Sequence, residues 1–272
     1  MLQSCETIRA FYDQDVQMEW DRLEIYRFEF DINRSFISKY VKPGQKVLDC
    51  GGGPGRYSLW LSKLGCDVTL FDLSNGNVAF AKAKAQELNL PITALTGDAR
   101  DLSALQGERY DHILLMGPLY HLLDETDRKA VVNACMELLK PHGTLSVSFI
   151  SSYAGIIYYL REMPQAIVEP SVQEHYNLMR DDLPFAGMAF TDAYFARRQD
   201  ILPFMEQFPL KKMHLLSSEA VFAPWYHSLL AQGEEAYQEY LRFGVAVCER
   251  EDLLSYAEHF LYIGQKVEER VG

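Results

Sequence analysis

No apolar run in this chain of 272 residues approaches the roughly 20 residues that a membrane-spanning helix needs. The first residues, MLQSCETIRAFYDQD, are too polar for a secretory signal. The five cysteines (Cys5, Cys50, Cys66, Cys135, Cys248) show no CxxC pairing and fall mostly inside apolar segments. They read as reduced core thiols, not as a disulfide or zinc framework, which predicts a cytoplasmic protein with no metal site. Clustered Lys and Arg are missing as well. With 26 basic and 38 acidic residues the formal charge is −12, which speaks against broad binding to a phosphate backbone. There is no internal repeat and no low-complexity segment. What is present is an apolar fraction of 48%, enough for a packed globular protein with one large domain or a core with a cap.

Glycine is concentrated in one stretch, Val47 to Gly55, VLDCGGGPG. Val47 and Leu48 begin a short buried strand with Asp49 at its mouth. Gly51, Gly52, Gly53 and Gly55 then let the backbone turn sharply and approach a ligand. Tyr57, Trp60, Leu61 and Leu64 follow at helical spacing until Gly65. Strand, glycine turn and helix together predict a nucleotide-type site at the carboxyl edge of a parallel sheet. The dinucleotide fingerprint G-x-G-x-x-G/A fits poorly. Counted from Gly51, its small third position falls on Arg56; counted from Gly53 it falls on Ser58, displaced along the turn. A Walker-type loop is excluded because no Gly-Lys-Ser/Thr follows. The spacing acid-x-G-x-G-x-G, through Asp49, Gly51, Gly53 and Gly55, fits cleanly.

That spacing resembles the first motif of the class I S-adenosylmethionine-dependent methyltransferases. An acid near the cationic end of adenosylmethionine is favourable, and the ligand has no phosphate to seat. The second strand, Asp67 to Phe71, ends in Asp72, about 20 residues past the turn, where a doubly wound site places the carboxylate that accepts ribose hydroxyls. A helix is expected over Gly76 to Leu88 and a third strand over Ile92 to Thr96. Gly97-Asp98-Ala99 follows. The resemblance implies that Asp98 accepts the adenine amino group and that the backbone N–H of Ala99 meets a ring nitrogen. As a bare loop aspartate, Asp98 also suits an N-cap for a helix from Arg100 to Leu105. The fourth strand, Tyr110 to Met116, leads into Gly117-Pro118-Leu119-Tyr120-His121-Leu122, where the family's reaction centre lies. The Asn/Asp-Pro-Pro-Tyr of amino-directed base methyltransferases is replaced here, and GPLYHL looks like a subgroup of small bacterial methyltransferases with an appended cap. His121 is a candidate general base, and equally a residue that orients the loop or binds the methionine moiety. Leu73 and Met116 complete the expected cofactor contacts in the core.

Ahead of the sheet, a short helix closes at Phe11 and Tyr12 and is broken by Asp13-Gln14-Asp15. A longer helix is expected from about Gln17 to Tyr40, apolar on two faces and therefore buried against more than one neighbour. This segment reads as a lid, with Tyr12, Trp20 or Arg22 reaching the ligand. Beyond the core come a helix, Asp124 to Leu139, and a fifth strand, Thr144 to Ile150, entered by LLKPHGTL, which resembles the family's LLKPGG turn with His142 in place of a glycine. Helices are expected at Ala154 to Met163, Val172 to Arg180 and Gln199 to Gln207, with a short strand at Ala193 to Arg197. A strand from Lys211 to Ser217, a helical stretch from about Pro224 to Ser255, and a last strand from His259 to Lys266 complete the chain.

The fold predicted from all this is α/β: a doubly wound seven-stranded sheet in the order 3-2-1-4-5-7-6 with its last strand antiparallel. The expected divisions are an N-terminal helical lid (1–40), a cofactor-binding core (41–150), and a helical cap over the active mouth (151–210 and 219–258). The last two strands of the sheet come from 211–218 and 259–267. The implied activity is methyl transfer from S-adenosyl-L-methionine to a small-molecule acceptor in a capped pocket. Three other readings remain at this point: a methyltransferase for RNA or protein, a nicotinamide oxidoreductase (which Arg56 disfavours), and a cofactor-binding module without transferase activity.

Overall fold

The computed structural model describes residues 2–268. The central sheet is built from strands β1 (Lys46–Cys50), β2 (Asp67–Asp72), β3 (Thr93–Thr96), β4 (Tyr110–Leu115) and β5 (Leu139–Ser151). Helices α4 (Arg56–Lys63), α5 (Asn75–Glu87) and α6 (Glu125–Leu138) alternate with them. The order β3-β2-β1-β4-β5 is parallel throughout, and it continues through β9 (His259–Lys266) to β8 (Leu210–Ser217). Strand β9 runs antiparallel to both of its neighbours, pairing Ile150 with His259 and Ser217 with Phe260. This is the predicted topology, with two further strands that fall between the fifth strand and the last pair in chain order but not in sheet order. Val47, Leu48, Leu70, Ile113, Leu115, Leu145 and Val147 are almost wholly buried, as expected for strands covered by helices on both faces.

The added strands are β6 (Phe185–Met188) and β7 (Asp192–Ala196), an antiparallel hairpin. Sequence reading anticipated β7 and missed β6, a short, half-exposed edge strand with Gly187 in its middle. Strand β7 pairs with β5 only at Ile150 and Ser151. Ile150 also pairs with β9, so β7 must lie on the β4 side, just past the point where β4 ends. The hairpin therefore stands beside the segment that follows β4.

The expected continuous helix from Gln17 to Tyr40 is two helices, α2 (Val16–Ile25) and α3 (Arg27–Ile37), preceded by α1 (Leu2–Gln14). The first break falls where it was expected: Asp15 caps α2 by accepting the Met18 N–H at 2.8 Å. The second is at Tyr26, whose backbone is non-helical (φ −96°, ψ 57°). Its ring packs edge-on against Tyr226 at 5.3 Å. Local propensity gives no reason to stop there; packing against a residue 200 positions away does. Phe28, Ile32 and Phe36 of α3 are buried against the sheet. The expected helical stretch from Pro224 to Ser255 is likewise divided into α10 (Tyr226–Leu230) and α11 (Glu234–Val247), separated by Gly233 at φ +87°. The remaining helices are α7 (Ala154–Glu162), α8 (Pro170–Asp181) and α9 (Arg198–Met205).

A chain of charges, with Glu29 and Glu219 buried and Arg22 and His259 partly exposed, ties the N-terminal helices to the antiparallel side of the sheet. Arg22 of α2 forks onto Glu29 of α3 (2.8 and 3.3 Å). His259 Nδ1 lies 3.9 Å from Glu29 and 2.6 Å from Glu219. Burial alone would lower the His259 pKa, but Glu29 and Glu219 overcome it and raise it to about 9. Glu219 also accepts the backbone N–H groups of Glu258 and His259. Cys50, Cys66, Cys135 and Cys248 are free and buried, as expected for core thiols, while the side chain of Cys5 lies outside the described residues. No described helix is long and apolar enough to cross a membrane.

Candidate active site

The carboxyl ends of β1, β2, β3 and β4 open onto one cleft, with an empty volume of about 1100 Å³ counting the solvent at its mouth. The glycine turn forms its floor. Gly51 (φ +75°) and Gly53 (φ +55°) adopt left-handed conformations that side-chain-bearing residues rarely take. At Gly52 a Cβ would stand 2.7 Å from an Asp49 oxygen, so the turn can pass over the acid only as glycine. Asp49 is buried and accepts the Ser58 hydroxyl at 2.7 Å. Burial raises its pKa to about 6.

Asp72 ends β2 and closes the next side. Its carboxylate accepts the Gly53 N–H (2.8 Å), the Ser74 N–H (2.9 Å) and the Asn77 amide (3.3 Å). Burial is again the main cause that raises its pKa. The Asn77 Oδ1 is buried without a partner on the same wall. An orphaned acceptor beside a carboxylate with lone pairs to spare is an acceptor set for vicinal hydroxyls. Leu73, Ala99 and Met116 also line the cleft. Asp98 does too, but its carboxylate is gripped by Arg100 through the backbone N–H (2.9 Å) and the guanidinium (2.6 Å). It caps no helix: the expected helix from Arg100 shrinks to one turn at Ser103–Leu105, which begins after Asp101.

Two of the predicted contacts are elsewhere. Trp20 is not on the cleft wall; its ring packs on Phe80 and under the Arg56 guanidinium, 3.8 Å from the ring centre. Gly55 does not line the cleft either. It caps α4 at φ +92°, and a Cβ there would stand 3.0 Å from Ala81, so its role is close packing of α4 against α5.

Tyr12 and His121 meet across the cleft. The Tyr12 hydroxyl is 2.7 Å from His121 Nε2, and His121 Nδ1 is 3.1 Å from the backbone oxygen of Asp192 at the start of β7. A carbonyl can only accept, so Nδ1 carries the proton and Nε2 accepts from Tyr12. Burial lowers the His121 pKa to about 4, which keeps the ring neutral at neutral pH. The expected base therefore faces the cleft through the Tyr12 hydroxyl. The Tyr120 hydroxyl is turned back onto the Met116 carbonyl (3.1 Å).

Glu19, Arg22, Glu29, Tyr57 and Asn77 also line the cleft, and of these only Arg22 was singled out from sequence. Glu29 had a signal: it is an acid set among the apolar residues Ile25, Phe28 and Ile32. Tyr57 accepts the Asn33 amide at 3.1 Å, which leaves its own proton available. Every described lining residue lies between Ile8 and Leu122. Ile8, Tyr12, Glu19, Arg22, Leu23 and Glu29 of that lining come from α1, α2 and α3, and from the segment after β6 Phe190 packs on His121 and Phe11.

Comparison with known proteins gives the family of the chain. A family model described as "Methyltransferase domain" matches residues 47–143. A ubiquinone biosynthesis O-methyltransferase of Cereibacter sphaeroides (strain ATCC 17025 / ATH 2.4.3) is 32% identical over 178 residues, covering 60% of this chain and 70% of that protein. The chain belongs to the class I S-adenosylmethionine-dependent methyltransferases. A protein of the same description from Xanthomonas campestris pv. campestris (strain B100) is 33% identical over 136 residues, 47% of this chain. This methyltransferase-family chain spans only 56% of the length of that relative. The solved structure of magnesium protoporphyrin IX methyltransferase from Synechocystis PCC 6803, with bound SAH, shares the fold at a TM-score of 0.58 and 16% identity, over 97% of this chain and 99% of that one.

Proposed function

We propose that this chain transfers a methyl group from S-adenosylmethionine to a small-molecule acceptor held between the glycine turn and the segment Met116 to Leu122. One observation carries the reading: Asp49, Asp72 and the orphaned Asn77 Oδ1 converge on a glycine floor that side chains would fill. Asp72 and Asn77 would hold the ribose hydroxyls, Asp98 and Ala99 the adenine edge, Leu73 and Met116 its faces, and Asp49 the cationic end. When bound, the cofactor supplies an electrophilic methyl group on a sulfonium. The contribution of the chain is to hold donor and acceptor in line and to exclude water. Helices α1 to α3 act as the lid, latched where Tyr12 meets His121. The relatives named as O-methyltransferases favour a hydroxyl acceptor, and a hydroxyl must lose its proton. Tyr12 and His121 form the pair placed to move that proton from the cleft to Nε2. The acidic charge and the enclosing lid favour a small acceptor over RNA or protein.

Thermal shift separates the cofactors: S-adenosylhomocysteine should stabilise the chain and NAD should not, and stabilisation by NAD alone would sink the reading. Asp72→Ala should abolish the response to S-adenosylhomocysteine; an unchanged response would refute the ribose role. A radiolabelled methyl-transfer screen over metabolite fractions, with RNA and protein fractions as controls, identifies the acceptor class. Binding without transfer to any fraction would favour a module that holds the cofactor and does no transfer.

A further inference from the structure

A second cleft, of about 970 Å³ counting the solvent at its mouth, lies between α6, β7 and α9. Arg128 lines it and is only 5% exposed. Buried cations are ordinarily matched by a carboxylate. Arg128 has no such match: its Nη1 hydrogens go to the backbone oxygens of Leu122 (2.5 Å) and Leu123 (2.8 Å). The guanidinium lies over the Tyr194 ring, 3.7 Å from its centre. Its Nε and Nη2 have no hydrogen-bond acceptor among the described residues. Burial lowers its pKa, outweighing the opposite pull of Tyr194, Glu125 and Asp124.

Two acids line the same cleft, and each has a cation of its own. Glu125 pairs with Lys129 at 2.7 Å, and Asp200 takes both arms of Arg197 at 2.6 Å. Among the three charged residues that line the cleft, the guanidinium is the one with no salt-bridge partner among the described residues. Apart from Gln207 the rest of the wall is largely apolar and partly aromatic, with Phe149, Tyr194, Ile201 and Phe204. A planar fork with free N–H groups matches a carboxylate edge-on, and the aromatic wall matches an apolar body.

We propose that this cleft is a binding site for a small carboxylate with an apolar body, whose carboxylate is taken by Nε and Nη2 of Arg128. The site is separate from the cofactor cleft and does not depend on the activity proposed above. Arg128 also holds the two carbonyls that follow His121, so the ligand would sit directly behind the reaction segment.

Benzoate is a sufficient probe, with benzamide and inorganic phosphate as controls, read by isothermal titration and by thermal shift in saturating S-adenosylhomocysteine. Benzoate is expected to bind, with benzamide and phosphate each weaker by about tenfold or more, the loss expected for a charged hydrogen bond or an apolar wall. Arg128→Gln should weaken benzoate by a similar factor. Because that variant also frees the Leu122 and Leu123 carbonyls, Gln207→Trp provides a second arm: it fills the cleft from an exposed lining position and should abolish binding while the melting temperature stays near wild type. Benzoate binding indifferent to both variants overturns the proposal, and so does benzamide or phosphate binding as tightly as benzoate.

Discussion

Asp49 shows how one residue couples the candidate site to stability. Its ordinary pKa is 3.8, and burial in the folded chain raises it to about 6. Between these values the folded state holds a proton that the unfolded state has released. Stability from this group is therefore greatest at low pH and is lost as pH rises through 6, by up to about 3 kcal/mol. Asp49→Asn should recover much of that difference at pH 7.5 and none at pH 3.5, as measured by urea unfolding at the two values. The same variant should weaken S-adenosylhomocysteine binding, and wild-type affinity should decline below pH 6 as the carboxylate protonates. Equal unfolding free energies for wild type and variant at pH 7.5 would show that no ionised carboxylate is buried there. His142 makes a smaller point at this scale. It stands where the resembled turn has glycine, and its φ of +62° confirms a glycine-like conformation at that position.

At the level of elements, the glycine turn and the reaction segment behave as one unit. A Cβ on Gly51 would stand 2.4 Å from Cδ of Pro118, and one on Gly117 would stand 3.1 Å from the Gly51 carbonyl. The end of β1 thus sets the position of the segment after β4. Gly51→Ala combines a left-handed backbone penalty with overpacking against Pro118, a cost of about 2–5 kcal/mol. It should lower the melting temperature and remove the response to S-adenosylhomocysteine, whereas Gly44→Ala, also at positive φ but with open space around it, should cost only the backbone part. Similar melting temperatures for the two variants would argue against contact between turn and segment. Elements explain the misread helix too. The apolar stripes of residues 17–40 were visible, but the break at Tyr26 answers to Tyr226, which no window on the local sequence contains.

Across the whole molecule, the chain Arg22–Glu29–His259–Glu219 fastens the N-terminal helices to the antiparallel side of the sheet. His259, raised to about 9 against an ordinary 6.5, stabilises the folded state fully below pH 6.5 and progressively loses that contribution as pH rises through 9. His112 and His121 act in the opposite sense. Burial lowers both to about 4, so their contribution is present above pH 6.5 and is lost as pH falls toward 4. His259→Gln leaves Glu219 without its cation, at a cost of about 3–5 kcal/mol near neutral pH. The alkaline loss of stability should flatten in that variant, measured by melting temperature from pH 6 to 10. An alkaline limb as steep as in wild type would assign the effect to other groups.

The sequence by itself determined the alternation of strands and helices, the glycine turn and the acids at successive strand ends. Each depends on residues close together in the chain, so periodicity, turn chemistry and spacing were enough to read Asp49, Gly51, Gly53 and Asp72 in their places. Only the tertiary structure decided which side chains face the cleft. Trp20 turns to Phe80 and Arg56, while Glu29 and Asn77 turn inward. It also decided that the described residues lining the cleft all come from Ile8 to Leu122, that the β6–β7 hairpin backs His121, and that the Tyr12 hydroxyl hydrogen-bonds that histidine. The reason is physical. A helix face or a strand end is set by neighbours in sequence, but the partner of a buried polar group is set by what the fold brings within hydrogen-bonding distance, here from positions 109 and 71 residues away.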